Sequence, residues 1–257
     1  MTSAQPPTGG VQSVERAFEV LEIMAAAGGS IGVSALAESA GLPLPTIHRL
    51  IRTLVGGGYM RQLPSRQYAL GPKLIRLGES ATKLIGAWWS RPYLSELVKV
   101  TGETANMAVL DGTKAVYVAQ VPSAHSMRTF TEVGREVFPH CTGVGKALLT
   151  QLSAEGVRSI AARTGLPAQT ANTHTDIDAL LADLELSRHR GYAIGEGEQE
   201  IGVRSFSVPV PDQPTLTAIS VSGPAARMSK ESADHIVPLL KRVARKLSAE
   251  FETNVAL

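Results

Sequence analysis

Cysteine is almost missing from this chain. Cys141 is the only one in 257 residues, which excludes an internal disulfide and any thiolate cluster of the kind that holds structural zinc or iron–sulfur, and a reducing cytosol fits. Long apolar runs are missing too. Nothing approaches the ~20 residues that span a bilayer, so no membrane partner and a cytoplasmic location are expected. The opening MTSAQPPTGG has no positive charge and no apolar stretch, so residues 1–10 read as a disordered tail. The most informative absence is local. Between residues 39 and 78 there is no Asp and no Glu, while Arg49, Arg52, Arg61, Arg66, Lys73, Arg76 and His48 all fall there.

The chain as a whole carries a formal charge of only +2, so bulk basicity argues for nothing. The distribution does. The acid-free window contributes +6 and leaves the remainder net negative, which suggests a basic reader of a polyanion joined to an ordinary acidic domain. With 44% apolar and 19% charged residues the chain is of globular composition, and its length accommodates two domains.

Local patterning gives the reader a shape. Val11, Val14, Phe18, Leu21 and Met24 recur at helical spacing, and Gly28 with Gly29 stops that helix. Ser34 is placed to cap a second helix with Leu36, Ala37 and Ala40 inside, and Gly41 supplies its left-handed end. A third helix starts near Pro45, buries Ile47, Leu50, Ile51 and Leu54, and turns Thr46, His48, Arg49, Arg52 and Thr53 outward. This is a helix-turn-helix layout, and the outward residues are candidates for base edges and phosphates in the major groove of double-stranded DNA. After Gly56-Gly57-Gly58, strand-like segments Tyr59–Gln62 and Gln67–Leu70 meet around Pro64 and Ser65 as a wing, whose Arg61 and Arg66 would position the backbone. The alternative is a solvated face on a small helical domain, with a hairpin that only closes its core.

Leu74, Leu77, Ala81, Leu84 and Trp88 predict one amphipathic rod with no strong break before Pro92, packing either on its own chain or on a second subunit. Beyond it, a helix over 92–100, strands over 104–111 and 114–121 with Asp111-Gly112 at the turn, and a helix from Val144 are expected. Further helices are expected over 154–163, 177–190 and 230–251, with strands over 205–210 and 215–222. Strands and helices interleave without βαβ repetition, so the fold class is α+β with a mainly antiparallel sheet. The proposed division is a tail (1–10), a winged helix-turn-helix domain (11–72), a linker helix (73–89) and a larger α+β domain (90–257).

The segment His140-Cys141-Thr142-Gly143-Val144-Gly145-Lys146-Ala147 is the most suggestive site in the second half. A phosphate loop would need Gly at His140 and Ser or Thr at Ala147. A dinucleotide turn fails at Leu148, and the Gly195/Gly197 pair fails at Glu200, so no nucleotide cofactor is expected. What remains is a glycine turn entering a helix, whose exposed amides suit a small carboxylate, or an ordinary tightly packed helix start. A nucleophilic Cys141 served by His140 is a weaker reading, because sequence neighbours point apart and no acid at a telling spacing orients the histidine. His125, His174, His189 and His235 are scattered singly, so no metal is expected.

The motifs GLPLPTIHRLIRTL, GYMRQ followed by QYALG, HCTGVGKALL, RGYAIGEGEQEIGVRS and AISVSGP, in that order, resemble the IclR-type transcriptional regulators over almost the whole length. TGETANMAV, GVGKALL and the paired serines of AISVSGP look most like the branch that represses allantoin and glyoxylate use. The resemblance implies a winged helix-turn-helix, a linker helix and a GAF-like effector domain, assembled as a homodimer or a dimer of dimers on near-palindromic operators. It further implies a small carboxylate effector, such as glyoxylate or allantoate, held by the amides of Gly143, Val144 and Gly145 and the hydroxyls of Ser205, Ser220 and Ser222, with Cys141 against the pocket. Leu44 and Pro45 stand where the family often has a polar pair, and Ser205 and Gly195 stand where that branch has a cysteine and an aspartate. A DNA-binding regulator, a repressor in preference to an activator and not an enzyme, is the leading expectation. A non-sensing DNA-bound scaffold and a Cys141-dependent hydrolase are the alternatives.

Overall fold

A computed structural model describes residues 10–84, 87–129 and 131–255, and all but the last residue of the expected tail at 1–10 lies outside them. The chain divides into two compact units, one up to Ala81 and one from Thr82 onward.

In the first unit α1 (Gln12–Ala26), α2 (Val33–Ala40) and α3 (Leu44–Gly56) surround one apolar core. The inward row of α1 is Ala17, Val20, Leu21 and Met24, whereas Val11, Val14 and Phe18 are exposed. Two adjacent rows of that helix satisfy the same three-and-four spacing, and packing against α2 and α3 selects the second. Ser34 is not the cap of α2. Gly32 holds that position without a side-chain bond, directly after β1 (Ser30–Ile31), so the helix begins two residues earlier than the cap pattern suggests. Gly41 ends α2 at φ 61°, as expected, and Leu42 N–H donates to the Ala37 carbonyl. Pro45 falls in the first turn of α3. β2 (Met60–Gln62) and β3 (Tyr68–Leu70) form the wing, with β1 as a third strand that two residues are too few to announce.

α4 (Lys73–Leu84) is followed by α5 (Ala87–Thr101); the expected unbroken rod crosses residues 85 and 86, outside the described ones. Pro92 does not begin a new helix. It sits inside α5 as the sixth residue of that range, where its missing N–H forfeits one ladder bond.

The second unit is built on a six-stranded, wholly antiparallel sheet. Its strands are β4 (Thr104–Asp111), β5 (Lys114–Val121), β6 (Glu136–Val137), β7 (Ala193–Glu196), β8 (Val203–Val210) and β9 (Thr217–Pro224), in the order β6-β5-β4-β9-β8-β7. The β4–β5 loop is Gly112-Thr113, one residue later than expected, with Gly112 at φ 56°. β6 and β7 are too short, and β7 too interrupted by Gly195, to be read from alternation.

Alternation on the long strands assigns the two faces. Ala105, Met107, Val109, Phe206, Val208, Ile219 and Val221 join the core made with α5 and α9 (Ala233–Val255). Ala108, Ala115, Tyr117 and Ala218 turn to the opposite face, against α6 (Gly143–Leu149). Beyond α6, α7 (Ala154–Thr164) and α8 (Ile177–Arg190) pack around Leu149, Val157, Leu180 and Leu184.

Candidate functional sites: an arginine face and a polar cavity

On the first unit His48, Arg49 and Arg52 project from α3 and are exposed, as are Arg61 and Arg66 on the wing. Among the described residues none of the four arginines is in an ion pair. His48, Arg49, Arg52, Gln62 and Tyr68 line a groove between α3 and the wing. Thr46 is half-buried and Pro45 is exposed. Thr53 is exposed, its hydroxyl donating back to the Arg49 carbonyl of the same helix at 3.1 Å. Ser34 is exposed on α2.

The wing turn has an unusual residue at its tight position. Arg66 N–H donates to the Leu63 carbonyl and Leu63 N–H to the Gln67 carbonyl, and Arg66 adopts φ 64°. That left-handed conformation favours glycine, since a β-carbon there costs about 1–2 kcal/mol.

On the second unit a cavity of about 600 Å³, mouth included, opens on the α6 face of the sheet. The register explains who meets there. Ser205 of β8 lies opposite Ser222 of β9, Ser207 opposite Ser220, and Gly195 of β7 opposite Ser205. The hydroxyl-bearing residues therefore form one patch, and Ser205, Ser220 and Ser222 all line the cavity together with Cys141, Gly143 and Val144. Gly143 is needed for closeness: a β-carbon on it would stand 2.3 Å from Ser205 Oγ and 2.9 Å from Ser207 Oγ.

Gly145 departs from the expectation. Its N–H donates to Thr142 Oγ1 at 3.0 Å, the cap of α6, and a β-carbon there would collide with Pro139. It is a packing glycine whose amide is already used. Gly143 and Val144, at the start of α6, keep amides without an intrahelical partner.

Cys141 is buried, and burial pushes its thiol up to about 11. His140 points elsewhere, its Nε2 lying 3.2 Å from the Pro167 carbonyl, and burial lowers its pKa. A thiolate served by this histidine is not what the geometry supplies.

Sequence reasoning missed Tyr117, Thr129, Arg135, Thr142 and Glu198, all on the cavity wall. Thr142 carried a signal, a threonine three residues before the amide it caps. Tyr117, whose phenol burial drives up to about 12, depends on a bulge at Met107/Ala108 that alternation does not reveal. Thr129 and Arg135 sit in a connection without regular pattern.

The largest omission is Lys146. It is 1% exposed, with Nζ at 2.6 Å from both Asp183 Oδ2 and Glu198 Oε1. His174 Nε2 is 3.5 Å from Asp183 Oδ2, and Arg190 lies 3.5 Å from Asp183 Oδ1. His174, Asp183 and Glu198 would make a three-ligand set for a cation, and the Lys146 ammonium itself stands between the two acids. Burial opposes ionisation of Asp183, yet His174 and Lys146 hold its carboxyl well below the usual range; burial raises Glu198 against the pull of Lys146.

Among the described residues no helix is long and apolar enough to cross a membrane. Residues 13–64 match the IclR helix-turn-helix domain, and residues 87–249 match the C-terminal domain of the bacterial transcriptional regulator IclR. The chain is 34% identical over 254 residues to the transcriptional repressor IclR of Escherichia coli K12, covering 96% of this chain and 92% of that protein. It is 31% identical over 250 residues to the repressor AllR of the same strain, covering 93% and 90%. The crystal structure of an IclR transcriptional regulator from Alicyclobacillus acidocaldarius superposes with a TM-score of 0.80 at 28% identity, over 93% of this chain and 98% of that one. The arginine face on a helix-turn-helix and the polar cavity on an α+β domain thus belong to one known arrangement, and this chain is a member of the IclR family of bacterial transcriptional regulators.

Proposed function

We propose that this protein is a cytoplasmic repressor whose hold on DNA is controlled by a small carboxylic acid bound in the cavity of its second unit. The observation that carries the reading is the patch of Ser205, Ser220 and Ser222 beside the amides of Gly143 and Val144, with Arg135 on the same wall. Hydroxyl, amide and guanidinium donors around a cavity match the acceptor oxygens of a carboxylate, and each such bond to a charged group contributes about 1.5–3 kcal/mol. Glyoxylate and allantoate are the first acids to try. Cys141 adds a buried wall atom.

The reader spans 11–72, a connecting segment 73–89 and the receptor 90–257. In the reader, Thr46, His48, Arg49 and Arg52 face base edges and phosphates, while Arg61, Arg66, Pro45, Thr53 and Ser34 border the duplex. Two readers of a homodimer, or four of a dimer of dimers, meet a near-palindromic operator. If the acid derepresses, linkage requires that the operator-bound state bind it less tightly.

The test is a mobility-shift titration with the full chain on fragments of its own upstream region. Specific retention that glyoxylate or allantoate weakens is the expected result; retention indifferent to every acid would leave a DNA-bound scaffold instead.

A further inference from the structure

Building on that reading of the cavity, we propose that Glu198 is a second anchor for the effector, and that the effector is a small acid bearing a hydroxyl or N–H donor that Glu198 Oε2 accepts. Glu198 stands on the cavity wall and is 5% exposed. Its Oε1 is taken by Lys146 at 2.6 Å, while Oε2 is buried without a hydrogen-bond partner among the described residues. A desolvated carboxylate oxygen with no donor is rare in a native interior, and the residue that carries this one lines the cavity.

The group is firmly placed. Thr170 and Thr173 donate their hydroxyls to the carbonyls of Gly197 and Glu198 at 2.7 and 2.6 Å, and Gly197 takes φ 64° to make the bend. Below it, Lys146 on α6, itself paired with Asp183 on α8, fixes the carboxyl from a second side. The loop is thus set by its backbone bonds and the side chain by a buried ion pair.

The chemistry follows from the balance of the wall. Serine hydroxyls, amides and Arg135 serve a carboxylate, whereas Glu198 repels one. An acid whose surface only accepts, such as pyruvate or acetate, leaves Oε2 unmatched and brings a second negative charge near it. An acid with a hydroxyl satisfies both parts of the wall. Glyoxylate in water is largely its hydrate, with two hydroxyls, and belongs with the donors.

The experiment compares size-matched acids on the full chain by calorimetry: glycolate against acetate, lactate against pyruvate, in wild type and in Glu198→Gln. The amide keeps an oxygen for Lys146 and turns the other position into a donor. Wild type is expected to prefer glycolate and lactate by about 10- to 100-fold, in line with one hydrogen bond to a charged group. Glu198→Gln is expected to erase or reverse that preference. Equal binding within each wild-type pair overturns the inference while leaving the effector cavity standing, and needs no variant to fold. A uniform loss for every acid in Glu198→Gln, with the preference kept, also overturns it. Failure of all acids to bind wild type overturns the effector reading as well.

Discussion

Asn106 donates from Nδ2 to the Ser222 hydroxyl at 3.1 Å across β4 and β9, and accepts from Gln120 Nε2 at 3.0 Å on its other side. The Thr129 hydroxyl lies 3.1 Å from the same Ser222 oxygen. A proposed effector contact is therefore held in place by a cross-strand chain that begins on β5. Ser222→Ala removes the acceptor of a buried amide donor, so a loss of about 1–3 kcal/mol is expected in urea unfolding of the second unit. Ligand titration should show weakened acid binding, and operator affinity without acid should be unchanged. Full retention of acid binding would place the anchor elsewhere.

Lys146 is the cation on which two buried acids depend. Lys146→Met leaves Asp183 and Glu198 without it, and removing one partner of a buried pair costs about 3–5 kcal/mol. Adding Glu198→Gln to Lys146→Met should recover part of that loss. Equilibrium unfolding of wild type and both variants measures it; additive destabilisation would contradict the coupling.

Arg66 combines a conformational cost with a charge. Arg66→Gly and Arg66→Ala both delete the guanidinium, so each should shallow the salt dependence of operator binding by about one phosphate contact. They should differ in stability. With φ at 64°, glycine is expected to exceed alanine by about 1 kcal/mol in thermal unfolding. Equal stability of the two variants would mean that the turn relaxes.

Arg49 and Arg66 should differ on DNA. Arg49→Ala on the exposed face of α3 is expected to cost about 1–3 kcal/mol and to relax base choice at one operator position, whereas Arg66→Ala weakens all sequences alike. Binding to a set of single-base operator variants at fixed salt separates the two.

Cys141 gives a pH signature. Burial raises its folded-state pKa to about 11, above that of an unfolded thiol, so the native state holds the proton longer. Its contribution is fully present below the unfolded value and is lost as pH rises toward about 11. Cys141→Ala should flatten that alkaline decline in stability, and alkylation of native wild type near neutrality should be slow. Rapid alkylation at neutral pH would show a thiolate that the buried site does not support.

Three features were legible because they are local. The acid-free window marked a basic surface that α3 and the wing do expose, helical spacing marked Ile47, Ile51 and Leu54 as the buried row of α3, and the family resemblance picked out Ser220 and Ser222, which share one face of β9. The antiparallel character of the sheet followed from strands without βαβ repetition, but its edge strands β6 and β7 did not. The misreadings share a cause. Ser34 and the exposed row of α1 fitted local rules that two alternatives satisfied, and Gly145 looked like its neighbours until Thr142 took its amide.

What spacing and charge could settle alone was the kind of each surface, since periodicity and electrostatics act along the chain over a few residues. Which groups meet was decided only by the folded sheet: register set Ser205 against Ser222, and three segments carried Lys146, Asp183 and Glu198 to within 2.6 Å contacts from positions up to 52 residues apart. No one-dimensional pattern encodes such a meeting, because a buried charge is tolerated only where distant segments supply its partners, and that supply exists only after the chain has closed around it.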